Sequence, residues 1–169
     1  METARIYVGT YAKYNSGSIA GAWIDLEPFA GDRDGFFTAA AKLHANEADP
    51  ELMFQDYEGF PPAYYNESGA SEALFEWLEL DEYERDLLAV YLDATGYADA
   101  SLEDAQDHFM GTYDSPEDWA AQWLEDTGSL GEVPEHLRNY IDYEAFARDA
   151  RYDGTTFHRH NGDVWVFSA

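Results

Sequence analysis

Short β-rich runs and stretches of helical periodicity alternate along this chain of 169 residues. In the first sixty residues, β-branched and aromatic side chains predict strands over 5–11, 19–26 and 51–58. Between the last two, apolar residues recur near a 3.6-residue period and predict a helix over about 33–45, with Asp32 as its N-terminal cap. The first part of the chain is therefore predicted to be a small α+β unit.

A glycine followed by two prolines interrupts this pattern at 59–62. Proline has a fixed φ and no N–H, so neither a helix interior nor a central strand can continue through the segment. We place a domain boundary at about 60–66. Beyond it, apolar residues at helical spacing predict helices over about 71–80 and 81–95, and Gly96 is a suitable helix stop.

The last third of the chain combines helix starts with a hairpin pattern. Ser115-Pro116 is a strong helix start, because serine caps the N-terminus and proline suits the first helical position. Asn161-Gly162 between two β-rich runs is typical of a two-residue hairpin turn. Further elements are predicted by the same rules: a helix from about Ser101, a strand near 108–113, and helices near 134–140 and 142–150. These elements give an α+β fold class.

The net charge of the chain is more informative about its function than any sequence motif. The chain has 35 acidic residues against nine basic ones, a net charge of −26, yet 46% of it is hydrophobic and 17% aromatic. A disordered polyanion would lack so many aromatic residues, so the chain is expected to fold. The charge repels itself in the compact state. A folded polyanion of this kind is expected to meet a DNA-binding protein, another basic protein or cations, and to avoid nucleic acid and anionic membranes.

The charge is spread along the chain and forms no detachable acidic tail. The net charge is −6 over 1–60, −11 over 61–105 and −9 over 106–169. Acidic residues alternate with predicted core residues, so they should cover folded surfaces.

Several classes of protein are disfavoured. There is no cysteine, so disulfides and thiol chemistry are excluded. The N-terminal residues lack a signal-peptide pattern and no apolar run approaches the ~20 residues of a membrane span, so a cytoplasmic location is expected. No calcium loop, phosphate loop, dinucleotide turn or nucleophile elbow appears, so we predict no enzyme activity and no cofactor.

Aromatic residues are divided between core and surface. Four tryptophans are assigned to the core: Trp77, Trp119, Trp123 and Trp165. Four tyrosines in polar settings are the candidates for exposed aromatic residues: Tyr64, Tyr65, Tyr140 and Tyr143.

Two groups of polar residues leave alternatives open. His158 and His160 flank Arg159, so in a strand they face the same side and could bind a metal, although no third ligand is evident. Two polar residues on a hairpin face is the preferred interpretation. The second group has an ion-pair network and a functional cluster as equal alternatives: Asp142, Tyr143, Glu144, Arg148, Asp149 and Arg151.

Two stretches resemble the ArdA antirestriction proteins of plasmids and conjugative transposons. They are KYNSGSIAGAW at 13–23 and LGEVPEHLRNYIDYEAFARD at 130–149. With the acidic composition between them, the resemblance extends over nearly the whole chain. The second stretch corresponds to the family's antirestriction motif, which here comprises Leu130, Gly131, Glu132, Val133, Pro134, Leu137, Asn139, Tyr140, Asp142, Tyr143, Glu144, Arg148 and Asp149.

The resemblance implies both an activity and a layout. Such proteins mimic the shape and charge of double-stranded DNA and occupy the DNA-binding cleft of type I restriction–modification enzymes. The implied layout is a curved row of three small domains that dimerises through its C-terminal part, here 1–61 (α+β), 62–104 (helical) and 105–169 (α+β). The dimer contact is placed at the strand edge of Phe109 and Tyr113.

The acids expected to form the DNA-mimic surface lie in the middle and C-terminal regions. They are Glu67, Glu72, Glu76, Glu79, Asp81, Glu82, Glu84, Asp86, Asp93, Asp99, Glu103, Asp104, Asp114, Glu117, Asp118, Glu125 and Asp126. B-DNA carries one charge per ~1.7 Å of axis, so 26 charges correspond to roughly 44 Å of duplex. Mimicry therefore predicts an elongated molecule. The alternatives are a halotolerant acidic cytoplasmic protein and a metal-binding enzyme whose charge is incidental.

Overall fold

The computed structural model describes residues 3–169 and shows an α+β protein. In that part of the chain, eight α-helices accompany three small antiparallel sheets, which confirms the predicted fold class. The chain divides into two compact units, 1–89 and 90–169. The division into three domains remains a prediction.

A three-stranded antiparallel sheet forms the base of the first unit. Its strands are β1 (Arg5–Thr10), β2 (Ala22–Asp25) and β3 (Leu52–Glu58), in the order β2-β1-β3. Helix α1 (Tyr11–Asn15) follows β1 directly, and α2 (Arg33–Leu43) lies between β2 and β3 in the sequence. The predicted strand at 19–26 is therefore shorter than expected, and α1 was not predicted.

The start of α1 explains why β1 ends at Thr10. The Thr10 side-chain oxygen accepts a hydrogen bond from the Lys13 N–H at 3.3 Å and so caps the helix. Asp32 caps α2 in the same way through the N–H of Gly35, at 2.9 Å, as predicted. In both cases a short polar side chain satisfies a backbone donor that the first turn leaves unpaired.

The rest of the first unit is a small hairpin followed by helices. Strands β4 (Tyr65–Asn66) and β5 (Gly69–Ala70) precede α3 (Glu72–Trp77), and α4 (Glu82–Thr95) crosses the boundary between the two units. Two short 3-10 helices cover Glu27–Phe29 and Pro62–Tyr64.

Aromatic rings fill the core of the first unit. Phe36 on α2 lies at the centre, with its ring 5.8 Å from that of Phe54 and 5.5 Å from that of Phe75. All three side chains are buried. Burying a large aromatic side chain contributes about 1.5–3 kcal/mol, so these rings supply much of the unit's hydrophobic stabilisation.

The second unit packs helices on a second three-stranded antiparallel sheet. The sheet has the order β6-β8-β7. Its elements in chain order are α5 (Leu102–His108), β6 (Phe109–Tyr113), α6 (Pro116–Asp126), α7 (Glu135–Arg138), α8 (Tyr143–Tyr152), β7 (Thr156–His160) and β8 (Asp163–Phe167).

The hairpin between β7 and β8 confirms the Asn-Gly prediction. Asn161 and Gly162 both have positive φ, 51° and 99°, as a two-residue turn of this type requires. The core of the unit forms where α6 and α8 meet the sheet, around Trp119, Ala147 and Val166.

The aromatic assignments were correct in part. Trp77, Trp119 and Trp165 are buried and Trp123 is half-buried. Of the tyrosines predicted to be exposed, Tyr140 is exposed and Tyr65 and Tyr143 are half-buried. The prediction for Tyr64 was wrong, because this side chain is buried.

Burial raises the pKa of Tyr64 to about 12, and the charge of Glu76 adds to this effect. In the part of the chain that the structure describes, no helix has the length and apolar character to cross a membrane.

Candidate functional site

Acidic side chains cover both units in equal measure. The first unit has 18 acids and five bases and the second has 17 acids and four bases, so each carries a net charge of −13. Within residues 3–169 no Asp or Glu side chain is buried, and only Glu47, Glu58, Glu84 and Asp86 are half-buried. Removing a carboxylate from water is costly, which explains why the charge lies at the surface.

The predicted mimic acids lie where a partner could reach them. Fifteen of the seventeen are exposed, and Glu84 and Asp86 are half-buried. His158 Nε2 lies 3.2 Å from Asp93, and Arg138 Nη1 lies 3.4 Å from Glu125. Apart from Glu82, Asp93 and Glu125, the acids of this set have no ion-pair partner in the described residues. Their charge is therefore not neutralised internally.

Several of these acids also stabilise the N-termini of helices through hydrogen bonds. Glu84 accepts a hydrogen bond from the Asp81 N–H at 3.1 Å, and Asp81 accepts one from the Glu84 N–H at 2.9 Å, which forms a capping box at α4. Asp104 forms the same arrangement with Ser101 at α5, and its pKa is lowered chiefly by the hydrogen bond from the Ser101 hydroxyl.

Helix starts at Ser101 and Ser115 were predicted from the sequence, but the hydrogen bonds between these caps and the acids three residues later were not. Their pattern was present in the sequence, because in each case a Ser or Asp lies three residues before an acid. Asp118, three residues after Ser115, accepts a hydrogen bond from the Ser115 hydroxyl at 2.7 Å.

The segment 130–149 combines turns, a short helix and the start of α8. Gly131 has a φ of 57°, which a glycine tolerates, and the Val133 N–H donates to its carbonyl oxygen at 3.1 Å. Asp142 caps α8 through the N–H of Ala145 at 2.9 Å. The segment is thus held by local backbone geometry as well as by packing.

Most side chains of this predicted antirestriction motif are accessible. Tyr140 is 84% exposed and Leu137 is 45% exposed. The motif residues that are exposed are Gly131, Glu132, Pro134, Leu137, Asn139, Tyr140, Asp142, Glu144, Arg148 and Asp149, and those that are half-buried are Leu130, Val133 and Tyr143.

The charged residues near α8 line one cleft without forming the full ion-pair network. The cleft has a volume of about 400 Å³, and Glu117, Asp142, Glu144, Arg148 and Arg151 are among the residues that line it. Arg148 pairs with its neighbour Asp149 at 2.9 Å, and this hydrogen bond raises the pKa of the guanidinium.

Arg151, in contrast, lies over the ring of Phe157, 5.4 Å from its centroid. The cluster is therefore a set of separate local contacts.

The predicted dimer residues make contacts inside their own unit. The ring of Phe109 lies 5.3 Å from that of Trp165. The Tyr113 hydroxyl donates to the Met110 carbonyl at 3.0 Å, and burial together with the charge of Asp126 raises its pKa. Strand β6 is at the edge of its sheet, which leaves one side of the strand unpaired within the unit.

The two histidines of β7 do not form a metal centre in the residues described. His158 pairs with Asp93, while the His160 ring meets Trp165 edge-on at 5.9 Å and its Nε2 contacts Asn161 at 3.0 Å. Across residues 3–169, no group of three or more metal-ligating side chains comes together.

Comparison with protein families identifies the chain. The model of the antirestriction protein family ArdA matches residues 6–164, which is nearly all of the 169 residues. The chain belongs to the ArdA antirestriction protein family. Both stretches that resemble the family, 13–23 and 130–149, lie inside the match.

Membership in the ArdA family implies an antirestriction function, and with it an interaction with restriction–modification enzymes. A search of curated proteins gave no match.

Proposed function

We propose that this ArdA protein inhibits type I restriction–modification enzymes by presenting its acidic surface in place of double-stranded DNA. Exposed carboxylates take the positions of phosphates against the Lys and Arg residues of the enzyme's DNA-binding cleft. The observation that carries the proposal is that fifteen of the seventeen acids are exposed and that, apart from Glu82, Asp93 and Glu125, the set has no ion-pair partner within the described residues. The protein acts by occupation and performs no catalysis.

The electrostatics favour this mode of binding. Two units with a net charge of −13 each distribute negative charge along the chain, as a nucleic acid does. Complexes formed through many charge contacts release bound ions and weaken as salt rises. Binding to the enzyme is therefore expected to fall with increasing salt.

The proposal extends to the assembly. An elongated molecule with three domains, dimerised through β6 around Phe109 and Tyr113, would present roughly twice the length of acidic surface. X-ray scattering of the purified protein tests this part, because a radius of gyration of about 15 Å for the monomer or about 20 Å for the dimer is the globular value and would count against an elongated shape. A shift to monomers on Phe109→Ala or Tyr113→Ala would support the dimer contact.

Grouped neutralisation separates mimicry from net charge. One variant replaces five exposed acids of the predicted surface: Glu72→Gln, Glu76→Gln, Glu103→Gln, Glu117→Gln and Asp126→Asn. The matched control replaces five exposed acids outside it: Asp25→Asn, Asp34→Asn, Asp49→Asn, Asp153→Asn and Asp163→Asn. Both change the net charge by the same amount.

The first variant should bind a type I enzyme more weakly than the control. Exposed ion pairs contribute roughly 0.2–1 kcal/mol each, so five should cost about 1–5 kcal/mol. Competition against a labelled cognate duplex measures the loss. Equal losses in both variants would mean that only total charge matters. A single Asp→Asn change that abolished binding in a folded protein would also contradict mimicry by a distributed surface.

A further inference from the structure

A cleft opens in the second unit between the end of α4 and the start of α5. It has a volume of about 650 Å³, and its wall includes two tyrosines, two aspartates and a histidine: Tyr91, Tyr97, Asp99, Asp104 and His108. No Lys or Arg lines it. The combination of aromatic rings and carboxylates is suited to a cation.

Tyr91 is the most informative residue of the cleft. Its side chain is 4% exposed, and its ring packs parallel to that of His108 at 5.8 Å and against that of Phe167 at 5.1 Å. Within residues 3–169, its hydroxyl has no hydrogen-bond partner, although the atom is not completely enclosed. The oxygen therefore reaches the surface of the cleft and is open to a hydrogen-bonding partner there.

The surroundings of this hydroxyl are negative. Burial raises the pKa of Tyr91, and the charges of Asp104 and then Tyr97 add to the effect. The hydroxyl therefore keeps its proton at neutral pH, and its oxygen is a neutral acceptor in a cleft that Asp104 and Tyr97 also line.

The two aspartates supply the charge. Asp104 accepts the hydroxyl and the N–H of Ser101 through one oxygen, Oδ2, at 2.7 and 2.8 Å, and makes no further hydrogen bond through Oδ1 in the described chain. The hydrogen bond from the Ser101 hydroxyl lowers the pKa of Asp104, so this carboxylate is ionised at neutral pH. Asp99 is exposed and has no ion-pair partner among residues 3–169.

We propose that this cleft binds a guanidinium group, the side chain of an arginine from the DNA-binding surface of the partner enzyme. The inference rests on the proposed function and adds a specific subsite to it. A guanidinium is planar and carries five N–H donors, so it can donate to Asp99, Asp104 and the Tyr91 oxygen while its face lies on the Tyr97 ring. The side chain of Tyr97 is 66% exposed and therefore accessible for stacking.

The geometry favours arginine over lysine. An ammonium group is compact, strongly hydrated and has no planar face, so it cannot stack and donate sideways at the same time. Phosphate mimicry by carboxylates alone would accept either cation. Selectivity for arginine at this cleft is thus a property that generic acidity does not predict.

The test uses the full chain and two small probes, N-acetyl-arginine amide and N-acetyl-lysine amide, at equal ionic strength. Backbone amide shifts in nuclear magnetic resonance spectra locate each probe. The arginine probe should shift the amide signals of 96–104 and of His108, with a Kd at least threefold lower than that of the lysine probe. Equal binding of both probes, or shifts spread evenly over the acidic surface, would overturn the proposal.

Variants identify the groups responsible. Tyr91→Phe keeps the ring packing and removes only the hydroxyl, and Asp99→Asn removes one charge. Each should weaken arginine binding at the cleft at least threefold. Asp153→Asn, an exposed acid outside the cleft, and Tyr83→Phe, an exposed tyrosine of the first unit, are the matched controls and should leave it unchanged. Unaltered binding in Tyr91→Phe and Asp99→Asn would refute the assignment.

A second measurement separates this inference from the proposed function. Displacement of DNA from a type I enzyme by the unmodified protein tests mimicry alone. If displacement occurs but the arginine probe does not bind at the cleft, the subsite is wrong and mimicry stands. If the probe binds at the cleft but no DNA is displaced, the proposed function fails, and the partner arginine with it.

Discussion

The two units carry the same net charge but use their basic residues differently. In the first unit, Arg5 and Arg85 pair with acids that are 53 and 58 residues distant in sequence. In the second unit the arginines contact residues nearer in the sequence: Arg148 pairs with the adjacent Asp149, Arg159 donates to the carbonyl of Gly162, and Arg138 pairs with Glu125, 13 residues away. Four of the five bases in the first unit are half-buried, whereas three of the four in the second are exposed.

The few basic side chains of this acidic protein therefore have different structural roles in the two units. In the first unit four of the five bases contact residues more than thirty positions away in the sequence, and only Lys42 is exposed. In the second unit they stay at the surface around 138–159, beside exposed apolar residues such as Tyr140. Stability should therefore depend on the bases of the first unit much more than on those of the second.

The largest effect is expected at Arg85, whose side chain is only 14% exposed. Its guanidinium donates to both oxygens of Glu27 and to the carbonyl oxygens of Leu80 and Leu78, and it lies 5.0 Å from the centroid of the Trp77 ring. Arg85→Met leaves these acceptors without their donor and should lower the free energy of unfolding by about 2–4 kcal/mol. Urea denaturation measures the loss.

The matched change in the second unit is Arg159→Met, which removes an exposed guanidinium with one backbone contact. It should change the free energy of unfolding by less than about 0.5 kcal/mol. If Arg85→Met and Arg159→Met lowered the free energy of unfolding by comparable amounts, the proposed difference between the units would be contradicted.

A smaller loss is expected at Lys13. Its ammonium contacts His44 Nδ1 at 2.6 Å and Glu47 Oε1 at 3.3 Å, while His44, itself buried, contacts the Val8 carbonyl oxygen through Nε2 at 3.2 Å. Lys13→Met should cost about 1–3 kcal/mol, because His44 loses the partner of one buried ring nitrogen. Thermal unfolding followed by circular dichroism checks this. Lys42→Met is the control, since Lys42 is exposed and should be neutral.

Alkaline pH gives a further comparison at the buried Tyr64 of the first unit. Its pKa is raised to about 12, so the folded protein keeps a proton that the unfolded chain releases above about pH 10. The contribution of protonated Tyr64 to the free energy of unfolding is therefore fully present below pH 10, and it is lost as the pH rises towards 12. In Tyr64→Phe, the free energy of unfolding should therefore fall by roughly 2 kcal/mol less between pH 10 and 12 than it does in the unmodified protein. An identical decline in both proteins would argue against burial as the cause.

Salt should have the smallest effect, and an equal one on both units, since each has a net charge of −13. Screening relieves repulsion between exposed acids, so raising the salt from low to physiological concentration should stabilise the fold by less than about 1 kcal/mol per unit. Hydrogen exchange resolved by residue measures each unit separately. Unfolding in dilute buffer would instead favour the alternative of a halophilic protein.

Much of the fold was predictable because its rules are local. Asp32 and Ser115 cap the helices that follow them, and Asn161-Gly162 forms the hairpin turn, since each depends only on neighbouring residues. Tyr64 was misplaced because it follows two prolines in a polar segment, and its burial results from tertiary packing. The predicted strand near 19–26 is short because the preceding residues form a loop whose Ile19 carbonyl accepts the Tyr7 hydroxyl at 3.0 Å.

The candidate surface was predictable in kind, because exposed positions of a folded polyanion must hold its carboxylates. The partners of individual acids were not, since they depend on contacts between distant residues. His158 and Asp93 lie 65 positions apart, and only the fold brings them to 3.2 Å. The cleft around Tyr91 is of the same kind, because only the fold brings this side chain together with Asp99, Asp104 and His108.

Competition for a type I restriction–modification enzyme tests the central claim most directly. The protein is titrated into the enzyme bound to a labelled cognate duplex, at two salt concentrations. DNA mimicry predicts displacement at near-stoichiometric protein, with weaker displacement at the higher salt. If the folded protein leaves the duplex bound at both salt concentrations, the account of this surface as a substitute for DNA is contradicted.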